Sequence, residues 1–174
     1  PIPVALVGAQ RSSDRPSSDA ALNLVGAVTV AARAPFSGVY VVMHSGIDDG
    51  ELAIHLGTKV RKNHTSRRDA FESVNSTPAA YVRGGAIEQI ITRLPLRTEV
   101  NRFEPKPRFE DKVVLLKFHP GFDPLVIDFL LKRSYRGIIL EGTCLGHVSQ
   151  SCFVAIKKAV EAGVVVGMTS QCIW

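Results

Sequence analysis

The last third of the chain limits its fold most tightly, because strand-like and helix-like segments alternate there in one order. Residues 113–118 are an apolar run read as a strand, and Asp123 followed by Pro124 offers an N-cap with proline at the first helical position. A helix is expected from there to about residue 131. Gly137 precedes a second strand at 138–140, a loop covers 141–147, and a helix from about Ser149 stops at Gly163. Residues 164–168 make a third strand. A β-α-β-α-β order with short connections implies a parallel sheet with right-handed crossovers.

The first half reads less simply. Residues 4–7 form a short apolar strand ending at Gly8, followed by the polar loop 10–16. Ser17, Ser18 or Asp19 can cap a helix that runs to about Arg33 and is stopped by Pro35. Leu22, Leu24, Val25, Val28 and Val30 make that helix apolar on most sides, so it is expected to be buried against a sheet. Residues 39–43 are the next strand, and Asp48-Asp49-Gly50 marks a turn into an extended piece at 52–55. The stretch 58–71 is polar and basic, with Ser66 and Asp69 spaced to start a short helix. Residues 95–112 hold Pro95, Pro105 and Pro107, several charges and no apolar periodicity. They read as a linker between a lobe at 1–94 and a second at 113–174.

With 174 residues and 45 % apolar content the chain can fill one good core or two small ones. It has no apolar run of transmembrane length and no signal peptide. It opens Pro1-Ile2-Pro3-Val4 without an initiator Met and ends on Gln171-Cys172-Ile173-Trp174 with no polar tail, as if cut from a larger protein. Cys144, Cys152 and Cys172 form no CxxC pair and have no His at zinc spacing, so no metal site is expected and a reduced, cytoplasmic setting is. The net charge of +5 permits an acidic partner such as RNA without requiring one.

Ligands of open α/β sheets bind beyond the carboxyl ends of the strands, and three loops qualify. Gly8-Ala9-Gln10-Arg11-Ser12-Ser13 joins a strand to a helix N-terminus; it is either an ordinary capped turn or a cradle for a polar group. The second loop contains Lys62, His64, Thr65 and Ser66. It reads as a solvated charged face, as a phosphate-contacting patch, or as a catalytic lysine beside hydroxyl groups. Spacing does not choose among these. The third, residues 141–147, has glycines but neither a GxGxxG nor a Walker pattern, and Cys144 with His147 lacks a third group to orient a nucleophile pair. His44, His55 and His119 read as structural histidines at strand ends, and Asp48 and Asp49 as turn residues.

Taken together and in order, these loops resemble the L-asparaginase superfamily. Pro3-Val4-Ala5-Leu6-Val7-Gly8-Ala9-Gln10-Arg11 with Ser18-Asp19 and Asn23-Leu24 resembles the strand–loop–helix that borders its active site. Val60-Arg61-Lys62-Asn63 with Asp69-Ala70-Phe71-Glu72-Ser73-Val74-Asn75 resembles its catalytic-lysine segment. The linker and the β-α-β-α-β lobe are similar to its linker and smaller C-terminal domain. Residues 10–19, 61–71, Glu141-Gly142-Thr143 with Leu145-Gly146-His147, and Thr169-Ser170-Gln171-Cys172 are most similar to the archaeal branch serving tRNA-dependent amidotransferases. Cys144 departs from that pattern, which has glycine there.

The resemblance implies an α/β, L-asparaginase-like fold with two lobes: part of the larger N-terminal lobe and much of a smaller parallel βαβαβ C-terminal lobe. It implies cleavage of a carboxamide, in glutamine or asparagine, by a threonine hydroxyl through an acyl-enzyme that releases ammonia. Lys62 matches the lysine of the activating relay, and Ala9 and Gln10 match positions lining the substrate's amide group. No metal and no cofactor are implied for this chain. ATP and Mg²⁺ serve a partner kinase–transferase subunit that converts Glu-tRNA(Gln) to Gln-tRNA(Gln). Homodimers and the absence of a membrane are implied as well. The family's Thr-Gly-Gly-Thr and Gly-Thr-Asp-Thr segments have no equivalent after Pro1, so the 174-residue chain is expected to be an inactive fragment. A free-standing cytosolic L-asparaginase and a non-catalytic RNA-binding module are the alternatives.

Overall fold

A computed structural model describes residues 2–99 and 104–174. Residues 100–103 of the expected linker, and Pro1, lie outside the described residues. The chain divides into two compact units, Pro1–Glu104 and Pro105–Trp174.

The first unit is a mixed sheet with one helix and one small hairpin. β1 (Pro3–Leu6) leads through α1 (Ala20–Arg33) to β2 (Gly38–His44), and β1 and β2 pair in parallel with Pro3 opposite Gly38. β3 (Glu51–Leu56) then turns back antiparallel to β2, placing Val42 opposite Ile54. β4 (Val60–Lys62) and β5 (Phe71–Ser73) form a separate antiparallel hairpin. β6 (Ala80–Arg83) and β7 (Ala86–Gln89) complete the main sheet in the order β1-β2-β3-β6-β7. Its core gathers Val30, Phe36, Tyr40, Val42, Ile54 and Ala80, with the Tyr40 hydroxyl donating to the Ser37 carbonyl at 2.8 Å.

α1 packs against the sheet as expected, but of the apolar residues named for it only Val30 is buried. Only one stripe is buried, Asn23, Gly26, Ala27 and Val30, at the i, i+3, i+4, i+7 spacing that shares one helix face. Leu22, Leu24, Val25 and Val28 are exposed. The buried stripe is small because helix and sheet approach closely: a Cβ on Gly26 would lie 2.1 Å from Leu52 Cδ1. Asp19 occupies the N-cap, but its side chain makes no cap bond and reaches back to the amides of Gln10 and Arg11 instead. Ser18 Oγ accepts the Ala20 amide at 3.1 Å. The short helix expected from Ser66 does not form either. His64 Nδ1 accepts the Ser66 and Arg67 amides, the Arg67–Asp69 ion pair closes the loop, and Ala70 N bonds the Arg67 carbonyl. Local side-chain acceptors here win over one helical turn.

The second unit follows the order of its segments. β8 (Val113–Lys117), α2 (Leu125–Lys132), β9 (Gly137–Gly142), α3 (Phe153–Glu161) and β10 (Val165–Ser170) build a parallel sheet in the order β10-β9-β8. Asp123 Oδ1 accepts the Leu125 amide at 2.9 Å, and a 3₁₀ turn capped by Ser149 leads into α3. Ile127, Leu130, Ile138, Leu140 and Ala159 form its core. No helix is long and apolar enough to cross a membrane among the described residues.

Candidate active site

The parallel β1–α1–β2 unit places the Gly8–Arg11 turn where ligands of open sheets bind, past the carboxyl end of β1. A cavity of about 360 Å³ opens there, walled by Gly8, Ala9 and Gln10 on one side and by Val41 and Met43 of β2 beneath. Lys62 and Phe71, opposite one another in the β4–β5 hairpin, supply the remaining wall. Ala9, Gln10 and Lys62, far apart in sequence, therefore line one space. Of the carbonyls in the turn, Gly8 O accepts from Asn23 Nδ2 at 3.0 Å, while among the described residues no donor occupies Ala9 O. Gln10 Oε1 is buried without a partner, and Gln10 also lines a second, polar cavity of about 510 Å³ with Arg11, Arg15 and Ser66.

The Lys62 side is exposed in this chain, and among the described residues no carboxylate lies within ion-pair distance of its ammonium. Its hairpin is anchored from below. His55 on β3 and Ser73 on β5 are both buried, with His55 Nδ1 2.9 Å from Ser73 Oγ. Burial pushes the His55 imidazole down to about 4, against a smaller opposing pull from Glu72. Of the basic side chains nearby, Arg67 pairs with Asp69 and Arg68 with Asp49, so part of the stretch is internally neutralised.

Behind the turn lies a set of groups that single-residue reading passed over. Burial alone would raise the Asp19 carboxyl, but the amides of Arg11 and Gln10 and the Asn23 side chain outweigh it and hold it below the usual range. His44 Nδ1 sits 2.6 Å from Asn23 Oδ1, and Asp49 pairs with Arg68 rather than serving only the turn, where Asp48 Oδ1 accepts the Gly50 amide. The signal was present: Asp19 and Asn23 are i, i+4 on the stripe that α1 buries, and polar residues on a buried stripe need partners.

In the second unit the loop after β9 closes on itself through mutual backbone bonds between Thr143 and His147, of 2.9 and 2.7 Å. Among the described residues Cys144 and His147 share no side-chain hydrogen bond, and Cys144 takes a left-handed backbone with φ 47°. Gln171 clasps the strand ends: its amide bonds Gly142 O at 2.8 Å, and its side chain donates to Phe118 O and Glu141 O. Among the described residues no three His, Cys, Asp or Glu side chains converge on a point that could hold a metal ion.

The first unit thus combines a mixed sheet with a cavity past the end of a parallel strand, and the second is a small all-parallel α/β unit. The chain belongs to the asparaginase family: residues 1–93 match its N-terminal domain (Asparaginase, N-terminal) and residues 112–174 the Glutaminase/Asparaginase C-terminal domain. Among curated relatives it is 48 % identical over 175 residues to the glutamyl-tRNA(Gln) amidotransferase D subunit of Pyrobaculum aerophilum, covering 100 % of this chain and 42 % of that protein. It is 51 % identical over 174 residues to the corresponding protein of Metallosphaera sedula, covering 100 % of this chain and 40 % of that protein. The chain thus spans about two fifths of the curated relatives it matches. Among solved structures, the thermostable L-asparaginase from Thermococcus kodakarensis superimposes with a TM-score of 0.79 at 30 % identity, over 100 % of this chain and 50 % of that one.

Proposed function

We propose that the full-length protein is the glutaminase component of a tRNA-dependent amidotransferase. It hydrolyses the carboxamide of glutamine or asparagine and hands the ammonia to a kinase–transferase partner that converts Glu-tRNA(Gln) to Gln-tRNA(Gln). The observation that carries this reading is the meeting of Ala9, Gln10 and Lys62 in one cavity beyond β1. The likeness to the amidotransferase proteins of Pyrobaculum aerophilum and Metallosphaera sedula supports the branch. Lys62 is the group that activates a hydroxyl nucleophile, since an ammonium lowers a neighbouring hydroxyl's pKa and a neutral amine accepts its proton. The Ala9 carbonyl is an acceptor for the N–H groups of the substrate amide, which orients the leaving nitrogen, and Gln10 forms part of the same substrate wall. This chain's own step uses no cofactor; ATP and Mg²⁺ belong to the activation of glutamate on the partner. The protein works as a homodimer in the cytoplasm.

In the full-length protein with its partner, Lys62→Ala lowers kcat/KM for ammonia release from glutamine by at least about 100-fold. Retention of activity in that variant removes Lys62 from the reaction. The 174 residues alone are expected to release no ammonia, because the resemblance assigns the nucleophile to a threonine of the Thr-Gly-Gly-Thr segment, which is not among them. Strong asparagine hydrolysis without partner or tRNA points instead to a free-standing L-asparaginase. Salt-dependent tRNA binding by this chain alone, with a log–log slope of about −0.7 to −0.9 per phosphate, points to an RNA-binding module.

A further inference from the structure

Asp19 and Asn23 of α1 and His44 at the end of β2 show no solvent exposure, and they bond one another in series. Asn23 Nδ2 donates to Asp19 Oδ2 at 2.9 Å and to the Gly8 carbonyl at 3.0 Å, so its Oδ1 is the acceptor facing His44. That orientation puts a proton on His44 Nδ1, 2.6 Å away. The ring's Nε2 lies 3.4 Å from Asp49 Oδ1, a link that is a hydrogen bond in the ring form carrying protons on both nitrogens, and the same oxygen accepts from Arg68 Nη1. Arg68 Nη2 donates to the Ser17 carbonyl at 2.8 Å, returning the series to the loop where it began.

Its two ends are the two halves of the candidate site. At one end Asp19 takes the amides of Gln10 and Arg11 at 2.9–3.1 Å while Asn23 takes Gly8 O, so both sides of Ala9 are fixed. At the other, Arg68 stands six residues after Lys62, in the loop joining β4 to β5. Buried polar groups of this kind seldom stabilise a fold more than apolar residues of equal size would; their best-attested use is to select one arrangement among several. We propose that Asn23, His44 and Arg68 are positioning residues, whose relay holds the Gly8–Arg11 turn and the Lys62 hairpin in one mutual setting across the cavity. This rests on the reading of that cavity as the amidase site.

The test uses the full-length protein with its partner, glutamine as the probe, and two readouts: kcat and KM for ammonia release, and hydrogen exchange of peptides spanning residues 8–19. Arg68→Ala is the leading variant because its side chain, 13 % exposed, is the least buried of the three. It is expected to speed exchange of the Gln10 and Arg11 amides at least about threefold and to lower kcat by about 10-fold, with a smaller change in KM. Arg68→Lys, which keeps the Asp49 pair but cannot reach Ser17 O at once, recovers part of both losses. Asn23→Ala and His44→Ala move both readouts further, with exchange in β3 unchanged. Unaltered exchange at Gln10 and Arg11 in Arg68→Ala, or faster exchange spread evenly over β3, overturns the proposal. Lys62→Ala is read alongside. Lost activity with parental exchange keeps the two claims apart, and retained activity there defeats the site reading while the exchange arm still judges the relay.

Discussion

The two units solve the burial of polar groups in opposite ways. All six buried polar residues among those described, Asp19, Asn23, Ser37, His44, His55 and Ser73, belong to the first unit. The main core cluster of the second is aliphatic, built from Ile127, Leu130, Ile138, Leu140, Ala155, Ala159 and Val164. Apolar packing is non-directional and tolerates small shifts, whereas a buried hydrogen-bond series holds only at one geometry. The difference assigns precision to the first unit, where the cavity with Lys62 lies, and plain packing stability to the second.

The comparison breaks most easily in the second unit's core. Ile127 is fully buried between α2 and the sheet, and truncating it leaves a cavity that neighbours refill only in part. Ile127→Ala is expected to cost about 4 kcal/mol, near the upper part of the range for such deletions. Urea unfolding followed by site-resolved exchange measures it, and the loss should fall on β8, β9 and β10. A loss below about 1 kcal/mol would mean that packing is not what holds this unit.

How much of this was legible in the sequence follows the same division. The second unit could be read almost segment by segment, because Asp123, Pro124, Gly137 and Gly163 punctuate it and its apolar runs have a single periodicity. In the first unit the strands were legible but the wiring was not. Counting apolar residues placed α1 against the sheet but did not find its buried stripe, which is Asn23, Gly26, Ala27 and Val30, small or hydrogen-bonded residues. Ser66 and Asp69 matched a helix start, yet His64 and Arg67 captured the local backbone and side-chain partners first. Lys62, Ala9 and Gln10 were singled out by resemblance, and only the fold shows that they share a cavity. Asp49 and Arg68 carried no local signal, since their partner lies on the other's loop 19 residues away.

A second prediction sharpens the contrast through pH. His55 is held neutral by burial, with its imidazole at about 4 in the folded state against about 6.5 when unfolded. Between those values the unfolded chain binds a proton that the folded one refuses, so stability is full above pH 6.5 and falls as pH drops towards 4. The loss is on the order of 3 kcal/mol, and it falls on the first unit because His55 ties β3 to the hairpin carrying Lys62. Stability measured from pH 7 to 4.5 on the parent and on His55→Gln isolates this contribution, since carboxylates titrate alike in both. Equal pH slopes for the two proteins would show that His55 plays no such part.

The smallest expected effect lies in the second unit and has the opposite sign. Cys144 adopts φ 47° in the loop after β9, a left-handed backbone that costs a residue with a Cβ roughly 1–2 kcal/mol relative to glycine. The loop keeps that shape through the Thr143–His147 bridge and the Ser170 hydroxyl, which donates to the Cys144 carbonyl, so the backbone has not adapted to the side chain. Glycine removes the strain but gives the unfolded chain more freedom to lose, offsetting about 0.5–1 kcal/mol of the gain. Cys144→Gly should therefore stabilise the second unit by up to about 1 kcal/mol, read as a raised urea midpoint at unchanged slope, with exchange at Gln10 and Arg11 unaffected. A destabilised variant would mean that the thiol makes a favourable contact worth more than the strain it imposes.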